Sequence, residues 1–371
     1  MINRPRIAVL ANIIPHYRVP LYGSLSRSEF WEFTIMAGLP AKGPAPRLAS
    51  QTEIEEADIH VKWTKNFWLF GFLWQGFSPA LAFDRRYEAI ICTGDMHYLS
   101  TWIMALLARL TGKPVLFWTH GLIKPDHGVR KWLRGIWHKL PHHILTYGEV
   151  GRSLLIQAGT PAEKVSRIGN ALDFDRQSSI YTMLSAAPAP ARSTPIIVSV
   201  GRLLSHRRLD LLILAADILH RRGVSVEVRI IGDGPERRHL ERLALETGAS
   251  KRISFLGPIY SEEEVGRHLF DCDLFVVPGD LGLSAIHAHT YGAPIITCGD
   301  WEFQTPEAEV IANGQTGGYT RHGDPMSVAD QIEKWLDRNA DRQSTRQECR
   351  AAVAEGWTPE SVRRSIELAL S

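Results

Sequence analysis

Short apolar runs alternate with amphipathic, helix-period stretches along almost the whole chain. In the first half the runs occupy 7–10, 33–36, 89–92, 115–118 and 143–146; in the second they occupy 196–200, 226–231, 253–256, 274–277 and 294–297. Short runs bounded by Gly or Pro, with helices between them, predict parallel strands covered on both faces. The rhythm breaks at 185–195, where Pro, Ala and Ser dominate and no core can form. The pattern therefore predicts an α/β protein of two Rossmann-like, doubly wound domains, 1–184 and 196–355, with a linker at 185–195. Domains of this kind bind ligands at the carboxyl ends of their strands, so the expected site is a cleft that the two domains face. A last helix over 361–370, in a terminal segment 356–371, is expected to pack back toward the first domain.

Composition narrows the class. A chain of 371 residues suits two domains with separate cores. Its 44% hydrophobic and 22% charged residues exclude a disordered, collagen-like or disulfide-rich chain. A net charge of +2 gives no global argument for nucleic acid. Cys92, Cys272, Cys298 and Cys349 lie far apart, without metal-ligand spacing, which implies reduced structural residues in a reducing compartment. The apolar run at 7–10 is too short for a signal peptide. The longest apolar region, 67–83, is broken by Gln75, Ser78 and Pro79 and is too short to span a bilayer. A cytoplasmic protein follows, with any membrane contact peripheral.

The second half carries the densest chemistry. Gly201-Arg202-Leu203 ends a strand, and Arg207 sits on the same connection. Two guanidinium groups there can hold a diphosphate bidentately; taken alone, the stretch reads more readily as a solvated charge run. Gly232-Asp-Gly234-Pro follows the next strand, where the glycines either admit a ligand to the backbone or simply make a turn. The stretch 276–296 reads as a strand ending at Pro278, a glycine loop, and a helix starting near Leu283 and stopping at Gly292. The N–H groups of Gly282, Leu283 and Ser284 are then expected to be free for the phosphates of a ligand.

Together these motifs resemble the retaining glycosyltransferases of family 4, the group 1 glycosyltransferases of GT-B fold. The resemblance covers nearly the whole chain and is strongest over 195–330. It rests on Gly201-Arg-Leu, Gly232-Asp-Gly-Pro, Phe255-Leu-Gly, 272–278 and Gly292-Ala-Pro-Ile-Ile, in the family's order. It implies that Arg202 and Arg207 bind the diphosphate of a UDP- or GDP-sugar, Arg207 standing where the family has lysine. Two family glutamates, one near the transferred sugar and one on the ribose, are replaced by Gly279 and His287. Two readings of His287 stand side by side, a ribose or phosphate ligand and a packed helix histidine. Glu307 or Glu309 matches another donor-side glutamate, with an exposed loop carboxylate as the plain alternative. Asp271-Cys-Asp273 looks like a metal-binding DxD but matches a structural family aspartate, so neither metal nor cofactor is expected.

In the first half the strand at 115–118 runs into Thr119-His120-Gly121. The resemblance makes His120 the histidine that hydrogen-bonds the transferred sugar; alone, it reads as structural. His16, Tyr17 and Arg18, after the first strand, and Asp95, after the third, are candidate acceptor ligands. Over 129–140, Val129, Trp132, Leu133, Ile136, Trp137 and Leu140 share one helical face, with Arg130, Lys131, Arg134, His138 and Lys139 on the other. That pattern fits either the surface of an anionic membrane or an ordinary helix packed on the sheet. The aromatic cluster 67–77 adds to the membrane reading, and with it the acceptor is expected to be a glycan, lipid-linked. Two rivals remain. The missing glutamates suit a degenerate, nonenzymatic binding or scaffold subunit. A nucleotide-cofactor oxidoreductase would need a Gly-x-Gly-x-x-Gly fingerprint, which no strand precedes here.

Overall fold

All ten apolar runs become strands, and each sheet winds outward in both directions from its own first strand. The computed structural model describes residues 4–39, 47–122, 128–186, 194–338 and 341–371, without the Arg130 side chain. Its contacts divide the chain into one unit of Met1–Asp173 with Thr358–Ser371 and a second of Phe174–Trp357.

In the first unit the strands are β1 (Arg6–Leu10), β2 (Glu32–Ala37), β3 (Val61–Trp63), β4 (Asn66–Leu69), β5 (Phe72–Gln75), β6 (Ala89–Thr93), β7 (Val115–Thr119), β8 (His143–Thr146) and β9 (Val165–Arg167). Seven of them form a parallel sheet in the order β3-β2-β1-β6-β7-β8-β9, while β4 and β5 make a separate antiparallel hairpin. Alternate side chains of the sheet bury into two apolar layers. Ile7, Val9, Phe33 and Ile35 face one; Ala8, Leu10, Ile90 and Phe117 face the other. The last helix, Pro359–Leu370, belongs to this unit and buries Val362 and Ile366 in the first layer beside Leu21 and Leu25.

The second unit adds β10 (Ile196–Val200), β11 (Glu227–Ile231), β12 (Ile253–Gly257), β13 (Leu274–Val277), β14 (Ile295–Cys298) and β15 (Gly317–Thr320). They form a parallel sheet in the order β12-β11-β10-β13-β14-β15. The strand order reverses between β10 and β13, and ligands of doubly wound sheets bind at the carboxyl ends beside such a point.

The boundary differs from the expected one. Most of the linker, 187–193, lies outside the described residues, and the chain enters the second unit at Phe174. The helix Phe174–Ser185, assigned by sequence to the first domain, belongs to the second. Its side chains explain why. Tyr181 meets Phe270 edge-on at 5.5 Å, the Arg350 guanidinium lies 3.8 Å over Tyr181, and Arg176 pairs with Glu263 at 3.0 Å.

All four cysteines are buried as free thiols. Among the described residues, no helix is long and apolar enough to cross a membrane.

Candidate functional site

In the second unit two loops meet where the strand order reverses, one after β10 and one after β13. Backbone bonds knit them: Gly279 N–H donates to the Arg207 carbonyl at 3.0 Å, and Asp280 N–H to the His206 carbonyl at 3.0 Å. Arg207 crosses the junction, its Nη2 donating to the Val200 carbonyl at 2.9 Å and to Ser284 Oγ at 3.1 Å. Burial lowers its pKa to about 10, against the raising field of Asp280, so the guanidinium stays charged at neutral pH. Arg202 is exposed on the same loop and makes no hydrogen bond or ion pair among the described residues.

The glycines are there for close packing of these loops. A Cβ on Gly201 would stand 2.8 Å from Arg207 Nη1, on Gly232 2.0 Å from the Gly201 carbonyl oxygen, and on Gly234 2.3 Å from that of Leu203. Gly201 and Gly232 also hold φ near +136° and +138°, where a side chain is strained. Gly232 and Gly234, expected as donor ligands, thus act first as spacers between the loops. The same geometry explains the missing glutamate, since a Cβ at Gly279 would lie 2.1 Å from the His206 carbonyl oxygen. No side chain fits there.

Three donor-side expectations need correction. Gly282 does not offer a free N–H, because Asp280 Oδ1 and Thr305 Oγ1 both accept from it at 3.0 Å. The helix is shorter than expected, Ser284–Thr290, and the N–H groups of Leu283 and Ser284 take no acceptor among the described residues. His287 is committed within the protein: its Nε2 lies 2.8 Å from Glu262 Oε1, which also accepts from the Tyr291 hydroxyl at 2.8 Å. Glu307 is buried, and Glu309, half-buried, helps burial push the Tyr319 hydroxyl up to about 12.

Sequence reasoning missed Gln304. This buried side chain donates from Nε2 to the Gly279 carbonyl at 2.8 Å, to Thr297 Oγ1 at 2.8 Å and to the Cys298 carbonyl at 3.1 Å. It fixes the loop that carries Asp280. The sequence signal was present only as a glutamine beside two candidate glutamates. Asp273 of the DxD-like triplet accepts from the Ile196 N–H at 2.8 Å and pairs with Arg342 at 3.0 Å.

In the first unit, the carboxyl ends of β6, β7 and β8 surround a cavity of about 630 Å³. Asp95, Trp118, His120 and Tyr147 line it, together with Arg134 from the helix Gly128–Trp137 and His138 just after it. The His120 ring stands 4.6 Å from that of Tyr147. Arg18 reaches the same group, donating from Nη2 to the Tyr147 hydroxyl at 2.8 Å with its guanidinium 5.3 Å over Trp118. Tyr147, unnoticed in the sequence, is the hub that joins Arg18 to His120. Gly121, at φ +74°, follows His120 because a Cβ there would stand 2.7 Å from the Gly151 carbonyl oxygen. Trp118 is 7% exposed and its indole N–H has no acceptor among the described residues, which leaves a buried donor on a residue that lines a ligand-sized space.

Other first-unit candidates have different duties. His16 pins the chain, with Nδ1 3.1 Å from the Arg47 carbonyl, and Tyr17 meets its ring edge-on at 5.7 Å. Asp95 Oδ1 accepts from the His97 backbone and lies 2.8 Å from its Nδ1. The basic helix is split in role. Trp137, expected on the membrane face, is buried between Phe117 at 4.4 Å and Trp102 at 4.5 Å, whereas Trp132 is 65% exposed.

Residues 184–352, most of the second unit, match the family model described as "Glycosyl transferases group 1". The second unit carries a group 1 glycosyltransferase domain. Alpha-D-kanosaminyltransferase of Streptomyces kanamyceticus is 28% identical over 188 residues, 49% of this chain and 47% of that protein. D-inositol 3-phosphate glycosyltransferase of Nocardia farcinica is 29% identical over 246 residues, 61% of this chain and 52% of the relative. The chain thus spans about half the length of the curated relatives it matches. Anabaena HepE, solved in complex with UDP, matches with a TM-score of 0.72 at 17% identity over 99% of each chain. That likeness establishes the architecture: the two parallel sheets are the Rossmann-like domains of the GT-B glycosyltransferase fold.

Proposed function

We propose that this chain is a glycosyltransferase that moves a sugar from a UDP- or GDP-sugar onto a carbohydrate acceptor, with retention of anomeric configuration and without a metal. The observation that carries the reading is Arg207, a cation fixed at the reversal point of the sheet in the group 1 domain. Negative charge grows on the nucleoside diphosphate as the sugar leaves, and a preorganised guanidinium stabilises it there. Arg202, exposed on the same loop, adds a second fork to the same diphosphate. The acceptor hydroxyl attacks the anomeric carbon on the face from which the diphosphate departs. The glycosidic C–O bond forms as the bond to phosphate breaks, and the hydroxyl proton passes to the leaving phosphate oxygen. His120 hydrogen-bonds the transferred sugar, and the cavity lined by Trp118 and Tyr147 receives the acceptor.

A lipid-linked acceptor is favoured by the Arg134 guanidinium, which the basic helix brings to the wall of that cavity. Metal independence is favoured by Asp273, whose carboxylate is consumed by the Ile196 N–H and Arg342. Transfer is therefore expected to continue in excess EDTA; loss of activity restored by magnesium or manganese would require a metal.

The deciding test is a thermal-shift series with UDP, GDP, ADP and CMP. A ligand held by the folded state at a hundred times its Kd adds about 2.7 kcal/mol of stability. UDP or GDP should raise the melting temperature, and the effective nucleotide then selects the sugar donors for transfer assays. No shift with any nucleotide, and no transfer or hydrolysis of any nucleotide sugar, would leave the nonenzymatic scaffold instead.

A further inference from the structure

The β4–β5 hairpin wears its polarity inside out. Pairing sets Phe67 opposite Trp74 and Leu69 opposite Phe72, so these four side chains share one face. The other face is turned to the protein. Leu73 is fully buried, and Gln75, at 2% exposure, donates to the Ala11 carbonyl at 3.1 Å and to Asn66 Oδ1 at 3.0 Å. The outward face is thus wholly apolar, while the inward face sets Asn66 and Gln75 beside Trp68 and Leu73, the reverse of a ribbon that keeps its polar residues for water. Phe67 is 57% exposed, Leu69 67%, and Phe70 at the tip 93%. Phe70 also holds φ +48°, in the left-handed region that bulky residues avoid, so the tip presents its ring at a conformational cost.

The surface continues onto a helix. The Gln75 N–H donates to Ser100 Oγ at 3.0 Å, docking β5 on the first turn of Leu99–Thr111. That helix exposes Leu99, Ile103, Leu106 and Leu110, spaced by four, three and four residues along one stripe. Scattered exposed apolar residues are ordinary, but a contiguous patch marks an interaction surface.

Charge identifies the partner. No acidic residue stands between Asp58 and Asp84, while Lys62 and Lys65 are exposed beside the hairpin. From 95 to 149 the sequence has seven Lys or Arg residues and three acids, Asp95, Asp126 and Glu149, and Asp95 is paired with His97 at 2.8 Å. Aromatic side chains backed by an excess of cations over acids complement anionic headgroups above acyl chains. We propose that the hairpin inserts Phe67, Leu69, Phe70, Phe72 and Trp74 into the interface of an anionic bilayer, with the Leu99–Thr111 stripe beside it. The insertion stands on its own and needs neither a donor nor transfer.

The native cysteines are all buried, so Phe70→Cys supplies one accessible thiol for an environment-sensitive fluorophore. Vesicles of phosphatidylcholine and phosphatidylglycerol should shift its emission to the blue, and brominated acyl chains should quench it. The variant F67S/L69S/F70S/F72S should lose at least about tenfold in vesicle partitioning while keeping its melting temperature, since apolar area sets the strength of interfacial binding. A label that keeps water-like emission on vesicle-bound protein would overturn the proposal, as would wild-type partitioning by the quadruple variant. A blue shift that needs only raised protein concentration, with a dimer in sedimentation, would assign the face to a second copy and reject the membrane. No arm uses a nucleotide sugar, so failure here is distinct from failure of the transferase reading.

Discussion

Arg207→Ala is expected to lower transfer by on the order of a hundred- to a thousandfold, the scale of removing one preorganised donor from a developing anion. The expectation rests on where the guanidinium is held. Val200 and Ser284 accept from Nη2, leaving the rest of the fork to meet a diphosphate at the junction of the two loops. Arg207→Lys keeps the charge but cannot span both acceptors while presenting a planar fork, so it should recover only part of the loss. Arg202→Ala should cost less, about tenfold, because an exposed side chain must be ordered before it helps. Initial rates with the nucleotide sugar chosen by thermal shift measure all three, and melting temperatures separate lost chemistry from lost folding. Wild-type kinetics in Arg207→Ala would remove the diphosphate site from this loop.

The strands that the sequence revealed are those buried on both faces, where every residue from 196 to 200 or 274 to 277 is apolar or small. The missed ones lie where that rule lapses. β3 is an exposed edge strand, Val-Lys-Trp, and β15 is Gly-Gly-Tyr-Thr. β15 needs its glycine because a Cβ on Gly317 would stand 2.1 Å from the Ile295 carbonyl oxygen, a constraint from a neighbouring strand that no local pattern carries. The domain crossing was misread for a related reason. A Pro/Ala-rich stretch marks a flexible connection but does not tell which unit the helix before it will join; Tyr181 and Arg176 decide that through partners Phe270 and Glu263, over eighty residues away.

The candidate site divides in the same way. Arg207, His120 and the loops that hold them were legible because strand ends and glycines announce a ligand-facing turn. Which N–H groups stay open was not, since Asp280 and Thr305 cap Gly282 from different loops. Tyr147 and Gln304 were hidden for want of any motif. Their importance comes from what they bridge.

His287→Ala is expected to destabilise the protein more than it slows it. The imidazole lies 2.8 Å from Glu262 Oε1, and both side chains are less than a quarter exposed. Burial raises the Glu262 pKa, but the charge and hydrogen bond of His287, with bonds from Tyr291 and Gln177, outweigh it and hold the pKa below its ordinary 4.5. Removing the imidazole leaves a buried carboxylate short of a partner, at a cost of roughly 1–3 kcal/mol at neutral pH. A lowered folded-state pKa contributes stability that is fully present above the unfolded value and is lost as pH falls through the folded one. The share of the gap between wild type and His287→Ala that Glu262 carries should therefore be present at neutral pH and shrink as pH falls through the folded value, below 4.5. His287→Glu sets a second carboxylate against Glu262, so it should be at least as unstable at neutral pH and recover on acidification as one of the pair takes a proton. Turnover at saturating donor should stay within about threefold of wild type for His287→Ala, the range expected of a residue that touches no reacting group. Denaturant melts from pH 3.5 to 8 and steady-state kinetics measure both sides. An alanine variant as stable as wild type, with weakened donor binding, would return His287 to the ribose; a pH-dependent stability gap with intact kinetics assigns it to Glu262.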